Sequence, residues 1–223
     1  MRLTLLLAAL LLAAPSARAA DAPVALANAG FETVGPSSLP AGWSAEAGAA
    51  GRVRRVAEGR SGAAVELAAT EPAALSILSE PVALKVGHAY RLSAWVRTEA
   101  ARADPLARYP TAVPATIAMA SFPFTNHAPA VGGTRGWTRV ETLFVATAPS
   151  DRVQLQLGRN GTATGRAAFD DVELAELGDV TEMIPLERVR WSGPAFRYED
   201  RGWIYVHVEG APYARGRQFG SLV

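Results

Sequence analysis

The chain of 223 residues contains no cysteine. That absence removes every thiol nucleophile, every disulfide and every lipid attachment through a cysteine from this sequence. Histidine is scarce as well, with three in all. His88, His127 and His207 stand apart from one another, and none has metal-ligand spacing to a second histidine or carboxylate. No Gly-x-Ser-x-Gly elbow occurs, so the chain carries no ready nucleophile for acyl transfer. An excess of either charge is missing too: 22 Lys and Arg stand against 21 Asp and Glu, a net charge of +1. Nothing in that balance favours nucleic acid or an anionic membrane as a partner. Long apolar runs are confined to the first residues, which excludes membrane insertion by a later helix.

What stands at the beginning is a positive Met1-Arg2, the apolar run "LTLLLAALLLAA" and small residues at an Ala-x-Ala spacing, Ala17-Arg18-Ala19. The pattern predicts a secretory signal peptide over 1–19 and an exported chain, periplasmic or extracellular. Its apolar core is about a dozen residues, short of the ~20 that span a bilayer.

Beyond Asp21 the sequence alternates in short runs bounded by Gly, Pro, Asn and Ser. Such punctuation predicts strands at Arg52–Val56, Ala64–Ala68, Leu75–Leu78, Ala89–Thr98, Ala115–Ala120, Thr138–Ala146, Arg152–Leu157 and Ala167–Leu177. Helical periodicity occurs only in short pieces near "TEAARADPLARY". The fold class is therefore all-β, an antiparallel β-sandwich of the jelly-roll kind. The Gly-rich "GRNGTATGR" lacks the Gly-Lys-Ser/Thr of a phosphate loop, and its Asn160-Gly161 reads as a hairpin turn.

Period two also separates the faces. In "AYRLSAWVRT" Tyr90, Leu92, Ala94 and Val96 make one side, and Arg91, Ser93, Trp95 and Arg97 the other. In "RVQLQLG" Val153, Leu155 and Leu157 oppose Arg152, Gln154 and Gln156. The aliphatic sets are the predicted core. After Leu177 the pattern becomes mixed, with a domain boundary near Gly178 and a linker over 178–200.

Two stretches go beyond pattern. "NAGFETVGPSSLPAGWS" near the start and "GRAAFDDVELAEL" near the end of the strand-rich part enclose "GRSGAAVEL", "SEPVALKVGHAYRLSAWVRT" and "GWTRVETLFVAT". Together, over residues 26 to 177, they resemble the carbohydrate-binding jelly-roll modules of the galactose-binding-like superfamily. The domain is assigned to 20–177. The resemblance implies that the opening Gly-Phe-Glu and the closing Asp-Asp-Val meet, and that Glu32 with Asp171 hold a structural Ca²⁺. Asp171 is preferred over Asp170 because it shares the Phe169 face. The alternative is that both carboxylates pair with Arg or cap turns.

The likeness also implies a glycan-binding face, with an aromatic platform for sugar rings and amides or guanidinium groups for hydroxyls. Trp95, Arg97, Gln154 and Gln156 would form it if their strands are neighbours, with Phe122, Phe124, Asn126 and His127 of "SFPFTNHAP" walling one end. The alternative is that Trp95 packs beneath the stretch Glu99–Pro114 and that Phe122 and Phe124 cover the sandwich edge.

At the tail, "GWIYVHVEGAPYARGRQFGSL" resembles the opening of the penicillin acyltransferase-like and phospholipase B-like hydrolases. Glu209, Gly210, Pro212, Tyr213, Arg215, Gly216 and Gly220 match the pattern. The resemblance implies that 201–223 is the truncated start of a hydrolase domain whose cysteine nucleophile lies further on. Three functions stand side by side: a non-catalytic accessory module for a polysaccharide or cell-envelope glycan, a purely structural sandwich serving a downstream acyltransferase or amidohydrolase, and the N-terminal part of such a hydrolase.

Overall fold

A computed structural model describes residues 21–35, 38–49, 51–104, 112–121 and 127–180. The expected signal peptide, the tail motif, Phe122, Phe124 and Asn126 lie outside them. Twelve strands are present among the described residues: β1 Ala22–Val24, β2 Trp43–Ala45, β3 Val53–Val56, β4 Ala64–Ala73, β5 Leu75–Ser79 and β6 Val82–Ala83. They continue with β7 His88–Asp104, β8 Val113–Met119, β9 Gly133–Val145, β10 Ser150–Asp151, β11 Val153–Arg159 and β12 Thr162–Asp179.

The strands form two antiparallel layers. One sheet runs β3-β4-β12-β7-β9, with β1 also on β12; the other runs β2-β5-β11-β8. β6 and β10 make a small ribbon beside them. All eight predicted strands exist. The short β1, β2, β6 and β10 carry too few residues for an alternation to show. The helical periodicity near "TEAARADPLARY" is corrected for its first part: β7 runs unbroken to Asp104, and the rest of that stretch lies outside the described residues. β12 runs on through Gly178, where the boundary was placed, to Asp179.

Period-two alternation fixes which residues meet between the layers. Leu67 of β4, Leu92 and Val96 of β7 and Phe169 of β12 are fully buried from one sheet, and Ile77, Ile117, Leu155 and Leu157 from the other. Each such side chain contributes about 1.5–3 kcal/mol by leaving water. Their in-register neighbours match in kind: Phe169 stands beside Val65 and Val96, Leu155 beside Ile77 and Ile117. Apolar rows thus cross each sheet and face one another, and the polar rows are left outside. No described helix is long and apolar enough to cross a membrane.

β12 organises the larger sheet. One of its edges carries β7 along its whole length, and the other carries β4 up to Phe169 and β1 from Leu174. Between those two partners the register shifts, and Asp171 has a φ of +47°. In that gap the Val172 N–H donates to the carbonyl of Ala29 at 3.1 Å. The two halves of the sequence likeness therefore meet where β12 is free to receive a loop. Phe31, left-handed at φ +59° and fully buried, packs edge-on to Trp43 at 5.1 Å between ring centroids.

Candidate functional site

Three carboxylates cluster where the loop before β2 meets the Asp170–Val172 part of β12, and all three hold the loop Glu58–Ala63. Asp170 has no solvent exposure. Its Oδ2 accepts the backbone N–H of Arg60 at 2.7 Å and of Ser61 at 3.0 Å, and its Oδ1 accepts that of Asp171 at 2.7 Å. Burial pushes its pKa above the usual carboxylate range, against the pull of those N–H donors from Ser61, Asp171 and Arg60. Asp171 pairs with Arg60 at 2.6 Å and accepts the Ser61 hydroxyl at 2.7 Å. Glu32 accepts the Ala63 N–H at 2.9 Å, with Arg55 at 3.9 Å from its other oxygen.

Asp171 does not share the inward face of Phe169. Its left-handed backbone breaks the alternation, so Val172 enters the core and the Asp171 carboxylate turns to the loop. Calcium needs six to eight oxygens turned to one point. Here the two expected ligands, Glu32 and Asp171, are turned to an N–H, a hydroxyl and guanidinium groups instead. The described residues hold no group of three or more His, Asp or Glu suited to a metal ion. As arranged, these residues do not fit calcium; they fit a loop latch.

The latch bears on Trp95. Its indole lies on the outer side of the larger sheet, half-buried, and the Arg60 guanidinium stands over the ring at 4.1 Å from its centroid. Arg97, one step along β7, stands over Trp137 at 4.9 Å and donates to the Glu58 carbonyl at 3.1 Å. Among the described residues Trp95 is covered by the loop 58–63, and its outer ring face has a cation on it; residues 105–111 of the expected cover, Glu99–Pro114, lie outside those residues.

Gln154 and Gln156 lie elsewhere. β7 pairs with β12 and β9, whereas β11 pairs with β5 and β8, so the strands are not neighbours. The inward sides of both strands meet in the core, which sends Trp95 and Arg97 out on one side of the sandwich and the two glutamines out on the other. The four-residue platform expected from the sequence is not assembled.

A different group forms around the glutamines. On the outer face of the smaller sheet, Gln156 is in register with Ser76 on β5 and Thr116 on β8, and Gln154 with Leu78 and Ala118. Glu46, just after β2, accepts the Ser76 hydroxyl and, at 3.0 Å, the Gln154 amide. Arg159 reaches the same row: its Nη1 donates to Oε1 of Gln156 at 2.5 Å and to Oε1 of Gln154 at 3.4 Å. Strict alternation would send Arg159 inward with Leu157. Gly158, at φ +89°, breaks it, and a Cβ there would sit 2.5 Å from the Ala73 carbonyl. Arg159 is only 6% exposed, and burial pulls its pKa below the usual guanidinium range. Thr116 is fully buried and donates to the Ala128 carbonyl at 2.7 Å, as does His127 Nδ1–H at 2.7 Å. At the far end of this face, Gly42, Trp43, Ser44, Ser79, Glu80 and Arg152 line a shallow depression. Glu46 and Arg159 escaped the sequence reading. The first lies beyond a three-residue strand, and the second is turned by a backbone angle that spacing does not reveal.

No family model and no curated protein matches the chain. Solved structures do. The carbohydrate-binding module TmCBM61 in complex with β-1,4-galactotriose aligns at 19% identity over 68% of this chain and 97% of that one, with a TM-score of 0.43. The xylanase 10B of Clostridium thermocellum, solved as its CBM22-1 and GH10 modules with xylohexaose, aligns at 16% identity, 71% and 29% coverage and a TM-score of 0.45. A Stig cyclase from Fischerella sp. TAU aligns at 13% identity, 70% and 98% coverage and a TM-score of 0.46. Likeness of that size, to both binding modules and a cyclase, decides nothing about chemistry.

Proposed function

We propose that the chain is a non-catalytic accessory module that binds a hydroxyl-rich polymer, a polysaccharide or cell-envelope glycan, on the outer face of the smaller sheet. One observation carries this reading. Two carboxamides, a carboxylate and a buried guanidinium form one hydrogen-bonded row across β2, β5 and β11 on an outward face. Pre-tied amides and paired charges are the groups that fix hydroxyls in order. The glycan ligands of two aligned modules, galactotriose and xylohexaose, belong to the same chemical class. The outer face of the larger sheet has its tryptophans already paired with arginines.

A catalytic role finds no support in the residues: the chain lacks cysteine, His88 is bound to Glu176 at 2.7 Å and His127 to the Ala128 carbonyl. Export rests on the N-terminal pattern over 1–19, and a hydrolase partner domain on the tail residues Glu209 to Gly220; both are readings of sequence. The test is affinity electrophoresis and calorimetry of the purified chain against uncharged β-1,4-xylan and β-1,4-galactan. Binding that weakens in Gln154→Ala and Gln156→Ala, and is kept in Trp95→Ala, supports the module. Absence of binding to any polysaccharide would leave the purely structural sandwich.

A further inference from the structure

The orientation of a carboxamide is usually ambiguous, because its oxygen and nitrogen look alike. Around Arg159 that ambiguity is removed. A guanidinium has five donors and no acceptor. The atom that Arg159 Nη1 meets on Gln154 and on Gln156 must therefore be the oxygen in each case. Both amide nitrogens are then directed away from Arg159. Gln154 Nε2 finds the Glu46 carboxylate at 3.0 Å. Gln156 Nε2 meets no acceptor among the described residues, and it stands on the half-exposed part of the row.

Among the described residues, the charges named on this face stand two against two. Arg159 and Glu46 bracket Gln154, one on each end of its amide. Arg152 and Glu80 share the depression at the far end. A polymer carrying a carboxylate on every sugar would meet as many anions as cations here and gain nothing from the field.

We infer that Arg159 is the positioning residue of this face: it fixes the oxygens of both glutamines, so that the Gln156 N–H₂ is turned toward the ligand while Gln154 is tied to Glu46, and the balanced face selects uncharged, hydroxyl-bearing chains over polyuronates. The inference rests on the glycan-binding reading above and narrows it to a ligand class. Gln156 Nε2 donates to a sugar hydroxyl or ring oxygen. Arg159 touches no ligand; it acts through the two amides. Its burial serves that purpose, since a guanidinium out of water holds its acceptors more firmly than an exposed one.

The test compares uncharged β-1,4-xylan and β-1,4-galactan with polygalacturonate, at low and at high salt, on the full chain and two variants. Gln156→Glu keeps the side-chain shape and the Arg159 contact but removes the donor. It is expected to melt no lower than the parent and to lose about tenfold in affinity for the uncharged polymer, the size of one good hydrogen bond. Arg159→Met frees both amides and is expected to lose at least as much, measured on the folded protein below its melting transition. A merely structural Arg159 would lower the melting point of that variant and leave the affinity of the folded protein unchanged, which overturns the positioning role. Preferred binding of polygalacturonate, weakening as salt rises, overturns the ligand class while the glycan reading stands. Binding of none of the polymers overturns both.

Discussion

Arg60 covers Trp95, with the guanidinium carbon 4.1 Å from the ring centroid, and Asp171 holds the same guanidinium at 2.6 Å. An indole of this kind on an outer sheet face invites the reading of a sugar platform. Its pairing makes it a fastening for the loop 58–63 instead. Arg60→Ala is expected to lower stability by about 1 kcal/mol, the scale of a half-exposed cation–π contact. It should also shift tryptophan emission toward the red, with glycan affinity unchanged. Denaturant titration and fluorescence check the first two; a large loss of affinity in this variant would move the site to the larger sheet.

Asp170 presents both oxygens to N–H groups, so any amide in its place sets a donor against a donor. Asp170→Asn is expected to cost about 1–3 kcal/mol despite its near-identical shape, because one buried N–H must lose its acceptor. Equilibrium unfolding measures it. A neutral result would mean that the Arg60 and Ser61 N–H groups find water.

Two carboxylates impose opposite pH trends. The Glu176 carboxyl is held below the usual range by the Lys85 hydrogen bond first, against some burial, and then by His88. Its stabilisation is therefore present above pH 4.5 and fades as pH falls through its lowered value in the fold. Asp170 is raised from 3.8 by burial, so its contribution is present below that value and is lost as pH climbs through its raised one. Glu176→Gln should flatten the acid limb of the stability profile. Melting points across the acid range decide; an unchanged limb would remove Glu176 from the balance.

Gly158 is needed twice, for its φ of +89° and for a Cβ position 2.5 Å from the Ala73 carbonyl. Gly158→Ala is expected to cost about 1–3 kcal/mol. By re-aiming Arg159, it should also weaken binding of uncharged polysaccharide. Unfolding and calorimetry together test it, and a variant that loses neither would disconnect Gly158 from the row.

A chelator should leave the melting temperature where it is, and added calcium should not raise it, because Glu32 and Asp171 already have partners. A calcium-dependent rise in scanning calorimetry would show that those partners exchange for the ion.

The layers were legible because Leu92, Ala94 and Val96, or Val153, Leu155 and Leu157, repeat at the period of a strand, and burial rewards only that side. The meeting of the loop before Phe31 with the Asp-Asp-Val end, made by Ala29 on Val172, was legible through family likeness. Side choice failed at Asp171, where a left-handed residue interrupts the count, and the same kind of interruption at Gly158 kept Arg159 out of sight. Strand adjacency failed for a different reason. Alternation shows which side of a strand faces inward, but not which sheet receives the strand, so Trp95 and Gln154 were joined across a core that separates them.

The longest described strand is also the last in order, and it lies between two that come much earlier. Until Thr162–Asp179 has been synthesised, β4 and β7 have no common neighbour, and the gap left for the arriving segment exposes backbone on both flanks. Folding of the larger layer must therefore await nearly the whole domain, with closure over sequence distances that slow the search. A chain halted before residue 162 would leave the flanks of β4 and β7 that face β12 without a partner strand.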